Sequence, residues 1–429
     1  VKTLYQPRCR ALLSVIFDGR GGEDSKSLAI TVIPKSASVE LNGYNEADTW
    51  SLSFDARLLP FDPDIIRSMA VRIYMYGADN LDDQRRWATP EHEMIVGLAD
   101  DAELDLRDGQ TFNCNGRDYT ALMLDPEWNP KDKVPYGIPL DQAVQKIVND
   151  RVTAGGKQVL RVVFESDETP PIAGAALRRG GRRSVQPGKS VWDVIYDLCL
   201  RHGFLVFVRG EDIIITEPRI QNATSLARAR RVAYGRNLRS LRASRKFAKE
   251  RVPQVIVTGY DPKSGKVIEE RYPAKSTAPT TAIGTDKDER KRYTLRGVTD
   301  RATLRRAART RHENLARTEA EYSLETRHME DLEGLDMLRL RAGDPIMIAF
   351  DAFNAEQMRQ LSIEQRREHL ISLGYSGQVA GFVAAHFDRL NQFRQPYYTE
   401  SAKFDISDDD GLVVSADVGN YAFVPREEA

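Results

Sequence analysis

Cysteine is scarce: Cys9, Cys114 and Cys199 are the only thiols in 429 residues. An odd number this widely spaced builds neither a disulfide framework nor a thiolate metal site, and it fits a reducing compartment. Net charge is also missing. Sixty-two Lys and Arg against 63 Asp and Glu leave -1, so no global field draws the chain onto nucleic acid or an anionic membrane. No run approaches the ~18 apolar residues of a membrane span, so no membrane anchor is expected. Val1–Arg10 carries charge where a cleaved leader needs an apolar stretch, which argues against secretion. At 41% hydrophobic and 29% charged, the composition is globular and excludes whole-chain disorder and fibrous rods. The length suggests about three domains at ~150 residues each.

Catalytic motifs are missing too. None of the six histidines (His92, His202, His312, His328, His369, His386) forms the H-E-x-x-H spacing that aims two imidazoles from one helix face. No G-x-S-x-G elbow occurs. Pro187-Gly188-Lys189-Ser190 lacks the earlier glycine of a phosphate loop, since position 183 is Arg; it reads as a turn and helix cap. Asp405–Ala416 fails the calcium-loop pattern, with Asp410 where Gly is needed and Ala416 where Glu is needed. No catalytic residue, cofactor or metal is therefore expected. Asp62/Asp64 and Asp100/Asp101 are carboxylate pairs by adjacency alone.

What is present is period-two patterning. In residues 1–125, Trp50, Leu52 and Phe54 alternate with Ser51, Ser53 and Asp55, and Val71, Ile73 and Met75 with Arg72, Tyr74 and Tyr76, the signature of strands with one buried face. Residues 126–224 read as α/β. A helix is expected over Leu140–Val152 and a strand over Arg161–Glu165. Ser190 with Asp193 forms a capping box for a helix over Val191–Arg201, followed by a hairpin around Arg209-Gly210-Glu211. Residues 225–355 return to strands at Val252–Tyr260, Lys266–Tyr272 and Ala320–Thr326, two more within Leu335–Phe350, and a helix from Asp300 to Ala316. In residues 356–429, Glu356–Ser372 reads as an amphipathic helix, Gln378–Arg389 as a strand, and Asp408–Gly411 as a turn between strands. Ser225–Arg251 holds ten Lys and Arg against Glu250 alone. Few aromatics interleave it, so an acidic protein partner is favoured over nucleic acid. Arg228, Arg230, Arg231, Arg236 and Arg239 are the candidate partner contacts.

Several of these segments, in order, resemble one family: the baseplate hub proteins of contractile-tailed bacteriophages, the late control D family, which also supplies the hub module of type VI secretion spikes. Asn115-Gly116-Arg117-Asp118-Tyr119-Thr120 is similar to its G-R-D segment, and Ser190–Pro218 to its helix–hairpin. Leu340–Ile348 is similar to its L-x-x-G-D-x-I-x-I, preceded by the Ala- and Arg-rich Arg301–Ala316. Gln378–Arg389 with His386 is similar to its closing strand. Glu356–Ser372 is longer than the family pattern.

The resemblance implies an α+β, β-rich fold: tube-like β-barrels at 1–125 and 225–355, an α/β helix–hairpin domain at 126–224, and a C-terminal helix with closing strands at 356–429. It implies a non-enzymatic structural hub, a homotrimer adapting a sixfold tail tube to a threefold central spike. The implied partners are tail tube or tube-initiator protein, the spike, baseplate wedge proteins and the tape measure protein. The implied location is the virion baseplate, assembled in the host cytoplasm. No lysozyme or spike domain is fused, so the spike is expected to be a separate polypeptide. Two alternatives stand beside this: a tail-associated cell-wall hydrolase, and a nucleic-acid-binding protein using residues 225–251.

Overall fold

Strands dominate the fold, as the alternating segments predict. The computed structural model describes residues 7–17, 26–43, 46–77, 87–107, 110–129, 138–152, 160–165, 189–202, 204–216, 229–234, 236–245, 254–260, 265–274, 291–296, 298, 300–316, 320–327, 330–332, 334–350, 358, 360–390, 397–408 and 410–419.

The N-terminal strands are β1 (Pro7–Phe17), β2 (Lys26–Val32), β3 (Ser36–Leu41), β4 (Thr49–Asp55), β5 (Ile66–Gly77), β6 (Glu93–Asp105) and β7 (Thr111–Asp118). They pair antiparallel in the order β2-β1-β5-β6-β7-β4-β3. Trp50, Leu52 and Phe54 are buried on one face, as the alternation requires. Tyr74 and Tyr76 on β5 are buried as well. Trp87 and His92, on the segment before β6, cover them with ring contacts at 5.3 and 5.5 Å.

The helical part follows: α1 (Ala121–Leu124), α2 (Leu140–Arg151), β8 (Arg161–Glu165), α3 (Val191–Arg201), β9 (Leu205–Arg209) and β10 (Asp212–Thr216). Ala143, Val144, Ile147 and Val148 of α2 pack with Val191, Trp192 and Ile195 of α3 over Ile213 and Ile215. The expected capping box is formed, with Ser190 Oγ accepting from the Asp193 N–H and the Asp193 carboxylate from the Ser190 N–H, each at 3.0 Å.

Beyond it come β11 (Arg230–Tyr234) and β12 (Ser240–Arg245), then β13 (Val255–Tyr260), β14 (Val267–Tyr272), β15 (Lys291–Arg296) and α4 (Arg301–Ala316). β13–β15 form a separate three-stranded sheet, and Leu304, Ala307 and Ala308 of α4 cover it. The chain then returns as β16 (Ala320–Thr326), β17 (Pro345–Phe350), α5 (Ile363–Ser372), α6 (Gly377–Leu390), β18 (Tyr397–Ser407) and β19 (Gly411–Gly419). β12, β16, β19 and β18 extend the first sheet beyond β3, and β17 pairs with β11 and with the start of β18. Residues 7–118 and 230–419 thus share one 13-stranded sheet. They also share one core, in which Leu13, Phe54 and Phe112 join Ile346, Phe404 and Val414. The seam is β18: Ala402–Ser407 pair with β3 on one edge and with β19 on the other.

The register gives this sheet two unlike ends. β7 finishes where β4 starts, with Arg117 opposite Thr49, and β18 starts where β19 finishes, with Tyr398 opposite Gly419. β12 also finishes at this end, and β16 starts there. At the other end the connections at 33–35, 56–65, 106–110 and 408–410 are short.

Three expectations need correction. Gln378–Arg389 is helix α6, not a strand. Ala380, Ala384 and Phe387 recur at helical spacing and bury against Leu370 of α5, and in a run this rich in Ala and Gly the two periods are hard to separate. The second strand expected in Leu335–Phe350 is a 3-10 turn at Met337–Arg339 instead. There the Asp336 carboxylate accepts from the Leu338 N–H at 2.8 Å, a local bond that competes with strand pairing. Helix α5 begins at Ile363, capped by Ser362 with Gln365; residues 356, 357 and 359 of the expected helix lie outside the described residues. Strand β15 had no counterpart in the sequence reading.

Candidate functional site

The side chains best placed to act together form an ionic joint where three distant segments meet. Asp48 precedes β4 and Asp118 ends β7, and the Asp118 N–H donates to the Asp48 carbonyl at 2.9 Å. The Asp118 carboxylate accepts from Thr120 N–H and Oγ1, each at 3.0 Å, and the Asp48 carboxylate from the Asn42 N–H at 2.7 Å. From the turn before β17, Arg341 donates to the carbonyls of Leu338 at 2.9 Å and Leu340 at 3.0 Å. Its neighbour Asp344 accepts from the Arg341 N–H at 2.9 Å and from Arg230 at 3.0 Å. On the third segment, the β9–β10 turn, Glu211 accepts from Arg72 at 2.6 Å, and Arg72 also holds Glu93 at 3.0 Å.

Burial sets the electrostatics. It pushes the Asp118 carboxyl up to about 7, against the lowering by Thr120. Asp48 is driven well above the carboxylate range by burial first and the Asp118 charge second; Arg341 and Arg209 oppose the rise. Burial brings Arg341 down to about 10, and Asp344 rises for the same reason against Arg230. Two carboxylates of unequal environment are what acid–base hydrolysis needs. These two are occupied with backbone and Thr120, and neither lines the groove of about 380 Å³ on α2 formed by Asp141, Gln145, Lys146 and Asn149. The arrangement ties three distant chain segments together.

The arginines singled out by sequence scatter. Arg228 lies outside the described residues. Arg230 is 11% exposed and bonded to Asp344 and the Asp336 carbonyl, so it belongs to the joint. Arg231 is half-buried on β11, where its N–H donates to Asp331. Arg236 and Arg239 are exposed, with Arg239 reaching Glu325 at 3.2 Å. The adjacent carboxylate pairs do not converge either: Asp62 caps the Asp64 N–H, while Asp100 holds Arg117 at 2.7 Å. Gly343, in the L-x-x-G-D segment, turns the chain at φ 90°. Gly116, in the G-R-D segment, lies inside β7, where a Cβ would overlap the Leu98 carbonyl and press on Trp50.

Among the described residues, no group of three or more His, Cys, Asp or Glu is placed to hold a metal ion, and no helix is long and apolar enough to cross a membrane. Sequence reasoning missed the joint because its members are far apart in the chain. The available signal was the pair of aspartates in the G-R-D and L-x-x-G-D segments, Asp118 and Asp344, which were given no site role.

No protein-family model matches the chain, and no curated protein matches it in sequence. Its fold is shared by solved structures. A tail protein from Neisseria meningitidis MC58 matches at a TM-score of 0.56 and 11% identity, over 95% of this chain and 96% of its own. The 43 kDa tail protein of prophage MuSo2 from Shewanella oneidensis matches at 0.52 and 12%, over 96% and 98%. The chain therefore has the fold of phage tail proteins, in agreement with the baseplate-hub resemblance carried by its motifs. It is α+β and β-rich, with large antiparallel sheets.

Proposed function

We propose that this protein is a non-enzymatic structural subunit of a contractile-tail baseplate hub. Three copies form a ring between a sixfold tail tube and a threefold central spike. The observation that carries the reading is the single sheet built from two β-rich halves joined edge to edge by β18. Each half is one tube-like module, so three chains supply six wall segments. Among the described strands, β2, β11 and β12 are paired on one side only, and these edges suit pairing with neighbouring copies, which closes a ring and removes exposed edges.

The two ends of the sheet suit different partners. The short-turn end exposes Ile33, Leu58, Phe61 and Leu106, an apolar rim that fits a stacked tube or tube-initiator ring. The opposite end, where β7 and β12 finish and β16 and β18 start, suits the spike, wedge proteins and tape measure protein. Arg236 and Arg239 remain proposed partner contacts, and the virion baseplate the proposed location. Light scattering at high concentration tests the reading: a mass of three chains is expected, and a chain that stays monomeric both alone and mixed with tube and spike proteins overturns it.

A further inference from the structure

The outer face of the large sheet is built differently from the rest of the surface. Across β7, β4, β3 and β18 the pairing aligns outward side chains in rows. Asn113, Ser53, Ser36 and Ser407 form one row, and Asn115, Ser51, Ser38 and Asp405 the next. In the row beyond, Thr49 and Glu40 lead to Lys403 and then to Ser415 of β19. The two basic side chains of this stretch are held in ion pairs, Lys403 by Asp405 at 3.4 Å and Arg117 by Asp100 at 2.7 Å. Among the described outward residues of 36–40, 49–55, 111–117, 401–407 and 411–417, Val413 is the one apolar side chain and none is aromatic.

Strands favour β-branched and aromatic residues, and cross-strand pairs of these contribute roughly 0.2–1 kcal/mol each. Serine and asparagine are not among them, so stability does not account for the choice. Partner binding does not account for it either. Interfaces rest on buried aromatic and Arg anchors and are depleted in Ser and Asp. Residues of the binding kind stand elsewhere on this chain, as in the apolar rim at Ile33, Leu58, Phe61 and Leu106 and in the exposed Arg301 and Arg305 of α4.

We infer that this serine- and asparagine-rich face lines the axial passage of the ring. The inference rests on the ring proposed above and fixes which surface turns inward. Short polar side chains, with the cations already paired, give another chain no anchor to grip. That suits a wall that meets solvent and whatever passes along the axis, while the edges and ends take the subunit and partner contacts. The rows cross from β3 to β18 without a break, so both halves of the chain present the same lining.

The test places one cysteine at a time on this face of the full chain: Ser51→Cys in the first half and Lys403→Cys in the second, both exposed positions. The native thiols Cys9, Cys114 and Cys199 are buried, which keeps the background low. Each variant is labelled with a small maleimide and with one carrying a long polyethylene glycol chain. Both rates are measured in the ring and at a dilution where light scattering reports single chains. In the ring the small reagent should keep its rate within about twofold, and the large one should slow at least tenfold, at both positions. An unchanged rate for the large reagent puts the face on the outer wall and overturns the inference. Equal slowing of both reagents, or loss of the ring in either variant while wild type keeps it, puts the face between subunits and also overturns it. Light scattering on the wild-type chain separates the two readings. Without a mass of three chains the ring itself fails and the lining with it, whereas a ring with the wrong labelling pattern refutes the lining alone.

Discussion

The two halves of the large sheet reach the same architecture by different routes. Residues 7–118 lay down seven strands consecutively, and most of their contacts are between strands near in sequence. The half built from residues 230–419 has its strands separated by the β13–β15 unit and by the α5–α6 hairpin. It is completed by β18 and β19, the last of the described strands, and β18 also closes the open edge of β3. The first half can form early, but its edge stays exposed until the final strands arrive. One sheet and one core predict a single cooperative unit whose weakest step is at the seam.

The largest effect should come from the first half. Gly116→Val forces a branched side chain into the Leu98 carbonyl and the Trp50 ring, and should cost about 4–5 kcal/mol. Urea unfolding should show a lowered midpoint, or the protein should be recovered only as aggregate; a midpoint within error of wild type would break the claim of close packing there. At the seam, Phe404 is fully buried, and Phe404→Ala should cost about 3 kcal/mol. If the sheet is one unit, fluorescence and circular dichroism will report a single shared transition in this variant. Two separated transitions would show that the halves unfold independently.

The ionic joint gives a pH signature. Asp118 has its carboxyl raised from 3.8 to about 7 in the fold. Between those values the folded state holds a proton that the unfolded chain has lost. Stability from this group is therefore greatest below about pH 4, falls as pH rises to about 7 by at most ~1.4 kcal/mol per pH unit, and is level above. Asp118→Asn keeps an acceptor for Thr120 and should flatten that slope; an unchanged slope would place the titration elsewhere. The smallest effect belongs to Arg239→Ala. Its exposed pair with Glu325 is worth less than about 1 kcal/mol, so thermal stability should hold while association with hub partners weakens.

Much of the fold is legible in the sequence where the reason is local. The alternation around Trp50, the Ser190–Asp193 capping box, the α2 apolar stripe and the paired strands on either side of residues 408–410 all appear as expected. Failures came where the deciding contact is distant or the pattern is shared by two structures. α6 looked like a strand because small residues blur the period. Arg230 looked like a surface charge because its partner, Asp344, is more than a hundred residues away. The joint of Asp48, Asp118 and Arg341 exists only once β7 and the turn before β17 are brought together.

Averaged images of an assembled tail tip, with this chain located in the density, test the central claim most directly. Three copies should surround the axis, their paired half-sheets giving six wall segments in alternation. A single copy, or a ring in which each chain contributes only one wall segment, would contradict the account.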